Sequence, residues 1–171
     1  MYFYLIGINY KTAPIISREA VHRKRKELDE LLSGINFKRA EIIYTCNRVE
    51  VYGIAKDLVE TRVLIGMLRR EFNEFADYGY IRLGRKNVFR HLLRVASGLE
   101  SQIKGEPQIL EQLNTWRAKS NLSKPLFDLT TKAISFAKVI RAKSGLGRLN
   151  YNIATFVFKQ MLDHFKNQER I

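Results

Sequence analysis

The first 83 residues alternate short apolar runs with amphipathic stretches, and this order leaves few topologies open. Residues 2–9 (YFYLIGIN), 40–46 and 49–55 are rich in the β-branched and aromatic residues of strands, and residues 78–83 are a shorter candidate. Helical periodicity separates the first strand from the second and the third from the fourth. The order β-α-β-β-α-β predicts an α+β fold: a ferredoxin-like split βαβ sheet with helices on one face, followed by a helical segment.

Local signals predict where the helices of this region begin and end. Ser17 is a plausible N-cap, and Gly34 is a plausible end of the first helix. Asp57 and Glu60 have the spacing of a capping box, which predicts the start of a second helix whose apolar face extends to Phe75.

After Gly84 the pattern becomes almost wholly helical. Apolar residues recur at helical spacing from Val88, a new helix is predicted at Pro107, and a longer one is predicted over residues 126–140. Residues 151–165 form a last amphipathic stretch. This helical segment follows the sheet in sequence, and periodicity alone does not say where it packs.

Composition excludes several classes of protein. With 46% hydrophobic residues the 171-residue chain can bury a real core, yet no apolar run approaches the roughly 18 residues of a membrane span. A single cysteine excludes an internal disulfide framework and a multi-cysteine zinc site. The three histidines, His22, His91 and His164, are too dispersed to suggest a metal site. A cytoplasmic protein with no bound metal and no membrane partner is expected.

The excess of basic residues is large and spread along the chain. Lysine and arginine number 30 against 17 acidic residues, so the net charge is +13. Such an excess favours a polyanionic partner, because each neutralised phosphate releases counterions. Simple solubility would also account for it. The charge therefore indicates RNA, DNA or another anion without choosing among them.

The only cysteine, Cys46, lies where an apolar run gives way to a polar turn. Arg48 is two residues away, and a fixed cation raises the reactive thiolate fraction of a thiol. A lone cysteine at a strand end is also often an inert, buried small hydrophobe. These residues alone do not decide whether Cys46 is a nucleophile or a packing residue.

No cofactor motif accompanies this thiol. The sequence has no G-x-G-x-x-G after a strand and no Walker-type loop. Gly145 and Gly147 lie between helical stretches and indicate a helix end rather than a cofactor loop. We therefore expect no cofactor to bind to this chain.

Three ordered stretches resemble the N-terminal catalytic domain of glutamyl-tRNA reductase. They are residues 7–14 (GINYKTAP), residues 45–48 (TCNR), and residues 91–101 (HLLRVASGLES), which continue into residues 105–110 (GEPQIL). Each stretch alone is weakly specific, but the set in this order is strongly specific. The resemblance covers about the whole chain up to residue 150.

The resemblance implies an activity and a division into domains. Members of the family transfer the glutamyl group of glutamyl-tRNA to an enzyme thiol and reduce the thioester with NADPH to glutamate-1-semialdehyde, the entry to tetrapyrrole and heme biosynthesis. Residues 1–150 would be the catalytic domain. Residues 151–171 would begin the linker to NADPH-binding and dimerisation domains that this sequence does not include. This chain alone would then act as an esterase, and a homodimer would form only through the C-terminal domain.

The resemblance also assigns site residues by motif position. Cys46 matches the nucleophile, and His91 matches a histidine important for activity, as a proton donor or as an orienting group. Arg48 offers a bidentate fork for the glutamate carboxylate. The matched substrate-binding positions are Thr45, Asn47, Arg48, Ser101, Glu106, Pro107, Gln108 and Gln112.

Two other functions stay open. A non-catalytic tRNA-binding or regulatory module on the same fold would suit the basic charge and the missing cofactor domain. An unrelated thiol hydrolase has no motif of its own in its favour. The complete pattern around Cys46 and from His91 to Gln112 favours the enzyme over both.

Overall fold

The computed structural model describes residues 1–34 and 40–146. The predicted linker over residues 151–171 lies outside these residues, as does the end of the predicted catalytic domain. The described elements are, in chain order, β1 (Tyr2–Asn9), α1 (Ile15–Arg23), α2 (Arg25–Ser33), β2 (Ala40–Thr45), β3 (Arg48–Ala55), α3 (Leu58–Glu71), α4 (Asn73–Tyr78), β4 (Tyr80–Leu83), α5 (Arg85–Ala96), α6 (Gln108–Lys119) and α7 (Lys124–Ser144).

The four strands form one antiparallel sheet in the order β2-β3-β1-β4. Strands β1 and β2 are therefore separated in the sheet by β3, which returns from β2 through a two-residue turn. The predicted α+β class is confirmed. The finer ferredoxin-like assignment stays a prediction.

The helices within the predicted split βαβ unit pack on one face of the sheet, and the helical segment that follows packs on the other. Tyr4, Ile6 and Ile8 of β1 join a core built with α1 to α4. Phe3 and Leu5, which alternate with them, join a second core built with α5 to α7. Successive strand residues point to opposite faces, so the continuous apolar run of β1 requires cover on both sides. The helices after Gly84 pack on this second face of the sheet.

The helix ends agree in part with the sequence signals. Asp57 caps α3 by accepting a hydrogen bond from the backbone N–H of Glu60, as predicted. The helix predicted from Ser17 to Gly34 is instead two helices that meet at Lys24. The second predicted helix also divides, because Phe72 is extended (φ −129°, ψ 98°) and turns its ring into the core beside Phe75.

Gly7 of β1 makes room for a buried carboxylate on the neighbouring strand. It lies opposite Glu50 of β3, and a Cβ atom at Gly7 would be 2.7 Å from Cγ of Glu50 and 3.2 Å from the Tyr80 hydroxyl. Gly7→Ala is expected to lower the free energy of unfolding by about 1–3 kcal/mol through overpacking. Urea denaturation measures the change. Gly66→Ala is the control, since a Cβ there meets nothing within 4 Å in mid-helix, and it should stabilise by about 0.5–1 kcal/mol. Equal effects of the two variants would contradict the packing argument.

None of the helices in the described residues is long and apolar enough to span a bilayer.

Candidate active site

Cys46 lies at the tip of the β2–β3 hairpin. Thr45 and Arg48 are the last paired residues of the hairpin, so Cys46 and Asn47 form the whole turn. The Cys46 side chain is exposed. The turn is held at Asn47, whose backbone N–H donates to Thr45 Oγ1 (3.3 Å) and whose carbonyl accepts from the N–H of Tyr10 (3.0 Å). A thiol on this turn is accessible and its backbone is anchored, as a nucleophile requires.

Arg48 is buried, with only 1% of its surface exposed. Its Nη1 donates to Glu50 Oε1 at 3.0 Å, and its Nη2 donates to the carbonyl of Glu100. The resemblance predicted that the Arg48 guanidinium faces the substrate. In the structure both of its terminal nitrogens have partners within the protein. The guanidinium therefore ties β3 to the loop after α5. Its role in substrate binding stays a prediction.

Glu50 is fully buried and is the centre of a polar network. Besides Arg48, the Tyr52 hydroxyl donates to it at 2.6 Å, His91 Nε2 lies 2.9 Å from its Oε1, and the Tyr80 hydroxyl also donates to Oε1. Burial alone would raise the pKa of Glu50. The charges of Arg48 and His91, with hydrogen bonds from His91 and Tyr52, outweigh burial and lower its pKa. The carboxylate is thus ionised and fixes the His91 ring.

Ser101 lies in the loop between α5 and α6. It is buried, its carbonyl accepts from the Tyr10 hydroxyl (3.1 Å), and its Oγ has no partner among the described residues. Arg141 of α7 holds the same loop through the carbonyls of Ser97, Gly105 and Glu106 at 2.8–3.1 Å. The loop is therefore fixed on one side by α7 and on the other by Tyr10 and the Arg48 guanidinium.

The remaining predicted positions lie at the start of α6. Glu106 is half-buried, Pro107 is exposed at the N-cap, and Gln108 and Gln112 are exposed. The two glutamines line a groove of about 1120 Å³ between α2, the edge strand β2 and α6, and Thr45 lines the same groove.

Five of the predicted site residues form two groups, which the turn that carries Cys46 links along the chain. Thr45, Gln108 and Gln112 belong to the groove. Arg48 and His91 belong to the buried network, where Glu50 joins them. The Cys46–Asn47 turn connects Thr45 to Arg48. No hydrogen bond among the described residues joins Cys46 directly to His91.

The sequence reasoning missed three polar residues that organise this site. Glu50 anchors the network, Arg141 anchors the loop, and Glu100 accepts from Lys11 Nζ (2.5 Å) and Arg94 Nε (2.6 Å). A signal existed for Glu50, because alternation along a strand places it on the same face as Arg48. The contact of Glu100 with Lys11 spans 89 residues and those of Arg141 span 35–44, so these contacts have no local signal.

Glu100 should make stability depend on pH in acid. Burial would raise its pKa, but hydrogen bonds and charge from Lys11 and Arg94 lower it to about 2 from 4.5. A carboxylate with a lowered folded pKa contributes stability above its unfolded pKa and loses it as pH falls through the folded value. The difference in urea midpoint between the wild type and Glu100→Gln should be constant above about pH 5 and should shrink toward pH 2. A difference that does not change with pH would contradict this role.

Comparison with known proteins gives one consistent result. The family model described as "Glutamyl-tRNAGlu reductase, N-terminal domain" matches residues 6–144. The chain is 34% identical over 167 residues to "Glutamyl-tRNA reductase 2" of Koribacter versatilis, covering 91% of this chain and 38% of that protein. It is 37% identical over 161 residues to "Glutamyl-tRNA reductase" of Marinomonas sp., covering 87% of this chain and 38% of that protein.

A solved structure agrees with these relatives. "Glutamyl-tRNA Reductase from Methanopyrus kandleri" matches with a TM-score of 0.68 and 26% identity, over 82% of this chain and 34% of that one. The chain therefore spans about two fifths of the length of the curated relatives it matches.

Proposed function

This chain belongs to the family of glutamyl-tRNA reductase N-terminal domains, and from that membership we propose that it takes the glutamyl group from glutamyl-tRNA in tetrapyrrole biosynthesis. The observation that carries the proposal is Cys46, a single exposed thiol on an anchored two-residue turn within the matched region. The cytoplasm remains the expected location.

The proposed reaction begins at the Cys46 sulfur. The thiolate attacks the carbonyl carbon of the aminoacyl ester, so a C–S bond forms, the bond from carbon to the ribose oxygen breaks, and the ribose oxygen takes a proton. The products are a glutamyl thioester on Cys46 and free tRNA. Thr45, Asn47, Ser101, Gln108 and Gln112 would bind the substrate as neutral hydrogen-bonding groups.

His91 would serve this step from a fixed position. Its Nε2 is engaged by Glu50, so a proton given to the leaving ribose oxygen would come from Nδ1 or through a neighbour that His91 orients. A general acid contributes about 10²–10⁴-fold to such a step. His91→Asn should lower the rate of acyl transfer within this range and alter its pH profile if His91 is the acid. A lower rate with an unchanged pH profile would leave only the orienting role.

Reduction of the thioester would need a hydride from NADPH, which we assign to a separate domain. The described sheet is wholly antiparallel and has no parallel βαβ unit for a dinucleotide. Residues 1–34 and 40–146 therefore do not fit this cofactor. Without the hydride, water would attack the thioester carbonyl, releasing glutamate and restoring the thiol, so this chain alone would be an esterase. A homodimer through a C-terminal domain stays a prediction.

One observation favours a second function, a non-catalytic tRNA-binding or regulatory module. Both terminal nitrogens of Arg48 donate to groups within the protein and the side chain is only 1% exposed, which favours a structural role for Arg48 over substrate binding. The exposed Cys46 within the intact Thr45–Arg48 run favours the enzyme.

Trapping the acyl group on Cys46 separates the two functions. We expect mass spectrometry, after an acid quench of the chain with glutamyl-tRNA, to show a glutamyl adduct on the peptide that contains Cys46. Glutamate should accumulate without aldehyde, whether or not NADPH is added. Retained tRNA binding with no adduct would favour the binding module.

A further inference from the structure

A second pocket of about 500 Å³ opens beside His91, between the end of β1, strand β4 and helix α5. Nine of the ten residues that line it are polar or charged, and the tenth is Tyr80. Four cationic side chains face a single carboxylate there; these charged residues are Lys11, Arg82, Arg90, Arg94 and Glu100.

Two of the four cations have no carboxylate partner in the part of the chain that the structure describes. Glu100 accepts from Lys11 and Arg94 and offsets part of their charge. Arg82 donates only to the carbonyl of Ile81, and Arg90 only to Asn87 Oδ1, among the described residues. Arg82 and Arg90 are both exposed. The pocket therefore keeps a positive charge that no carboxylate in residues 1–34 and 40–146 neutralises.

The pocket adjoins the end of the sheet that carries Cys46. Asn9, one of its lining residues, is the register partner of Arg48, and Arg48 directly follows the Cys46–Asn47 turn. The residues that line the pocket also include His91, whose Nε2 contacts Glu50. A ligand that extends beyond Cys46 on this side would meet the pocket.

We propose that this pocket binds a phosphate of the glutamyl-tRNA backbone near the acceptor end. Guanidinium groups bind phosphate oxygens through several donors at once, and a polar lining suits a phosphodiester better than a base or a nicotinamide ring. The inference rests on the proposed function, because that function brings RNA to Cys46. The phosphates of a dinucleotide are the other source of the same chemistry.

The test compares two double variants that each remove two positive charges. Arg82→Gln with Arg90→Gln alters the pocket. Arg62→Gln with Arg69→Gln is the control, because both arginines are exposed on α3, which packs against the opposite face of the sheet. The probe is an acceptor-stem RNA minihelix that ends in CCA and carries no amino acid. Fluorescence anisotropy measures its binding at several salt concentrations.

The pocket variant should bind the minihelix about tenfold more weakly. The plot of the logarithm of its association constant against the logarithm of the salt concentration should have a slope that is less negative by about 1–2. The control should change affinity by less than about twofold. Equal losses in both variants, or none in either, would overturn the inference. Weaker binding of NADPH with unchanged RNA binding would assign the pocket to a dinucleotide and also overturn it.

The inference and the proposed function can fail separately. A glutamyl adduct on wild-type Cys46, with normal minihelix binding by the pocket variant, would retain the function and reject the pocket. Selective loss of minihelix binding by the pocket variant, with no adduct in the wild type, would retain the pocket and reject the catalytic role.

Discussion

Cys46→Ala is expected to abolish the glutamyl adduct and to lower hydrolysis of glutamyl-tRNA by at least about a thousandfold, toward the uncatalysed rate. The reason is that the proposed step forms a bond to Sγ, and the sequence has no second cysteine to replace it. Because the side chain is exposed on a turn, the substitution should leave the thermal unfolding midpoint almost unchanged.

Cys46→Ser is the sharper variant, because it keeps the size of the side chain and a weaker nucleophile. It should also lose nearly all hydrolysis, since a serine hydroxyl here has no adjacent base among its described contacts. Minihelix binding should be retained by both variants, which separates lost chemistry from lost affinity. Hydrolysis at the wild-type rate in either variant would reject the covalent mechanism.

The strands and the position of Cys46 could be predicted because their signals are local. The apolar run of β1 and the polar turn at Cys46–Asn47 are each contained in a few residues, and the structure has them at those places. The Asp57 cap is equally local. Local periodicity and turn chemistry are sufficient for such features.

The packing of helices α5 to α7 on the second face of the sheet could not be predicted in the same way. The alternation of β1 shows only that both of its faces are apolar. Which helices cover each face depends on contacts between distant segments, such as Leu5 with the core of α5 to α7. The helix break at Phe72 was missed for a related reason: Phe72 leaves the helical conformation and buries its ring beside Phe75, and this tertiary gain overrides helix periodicity.

The environment of Arg48 was also beyond local reasoning. Its motif position indicated a guanidinium that faces a ligand, and its charge made exposure the default. In the structure Glu50 lies on the same strand face, and helix α5 closes over both through His91. A buried carboxylate thus pairs with the arginine that the resemblance assigned to the substrate, and the substrate-binding role of Arg48 stays a prediction.

Glu50→Leu is expected to lower the free energy of unfolding by about 3–5 kcal/mol, because it leaves Arg48 buried without its counterion. Arg48 is 1% exposed and Glu50 is 0% exposed, so water cannot replace the lost partner. Tyr52→Phe, which removes one hydrogen bond to the same carboxylate, should cost only about 0.5–1.5 kcal/mol. Urea denaturation at neutral pH measures both.

The double variant Arg48→Leu with Glu50→Leu tests whether charge or packing carries this cost. Removing both charges abolishes the uncompensated guanidinium, so the double variant should be more stable than Glu50→Leu alone and the two effects should not add. Additive losses would assign the cost to packing. Because His91 Nε2 also contacts Glu50, Glu50→Leu should release the imidazole as well. Glu50→Leu should therefore lower adduct formation on Cys46, and this loss should persist in the double variant even where stability recovers, since neither leucine can orient His91.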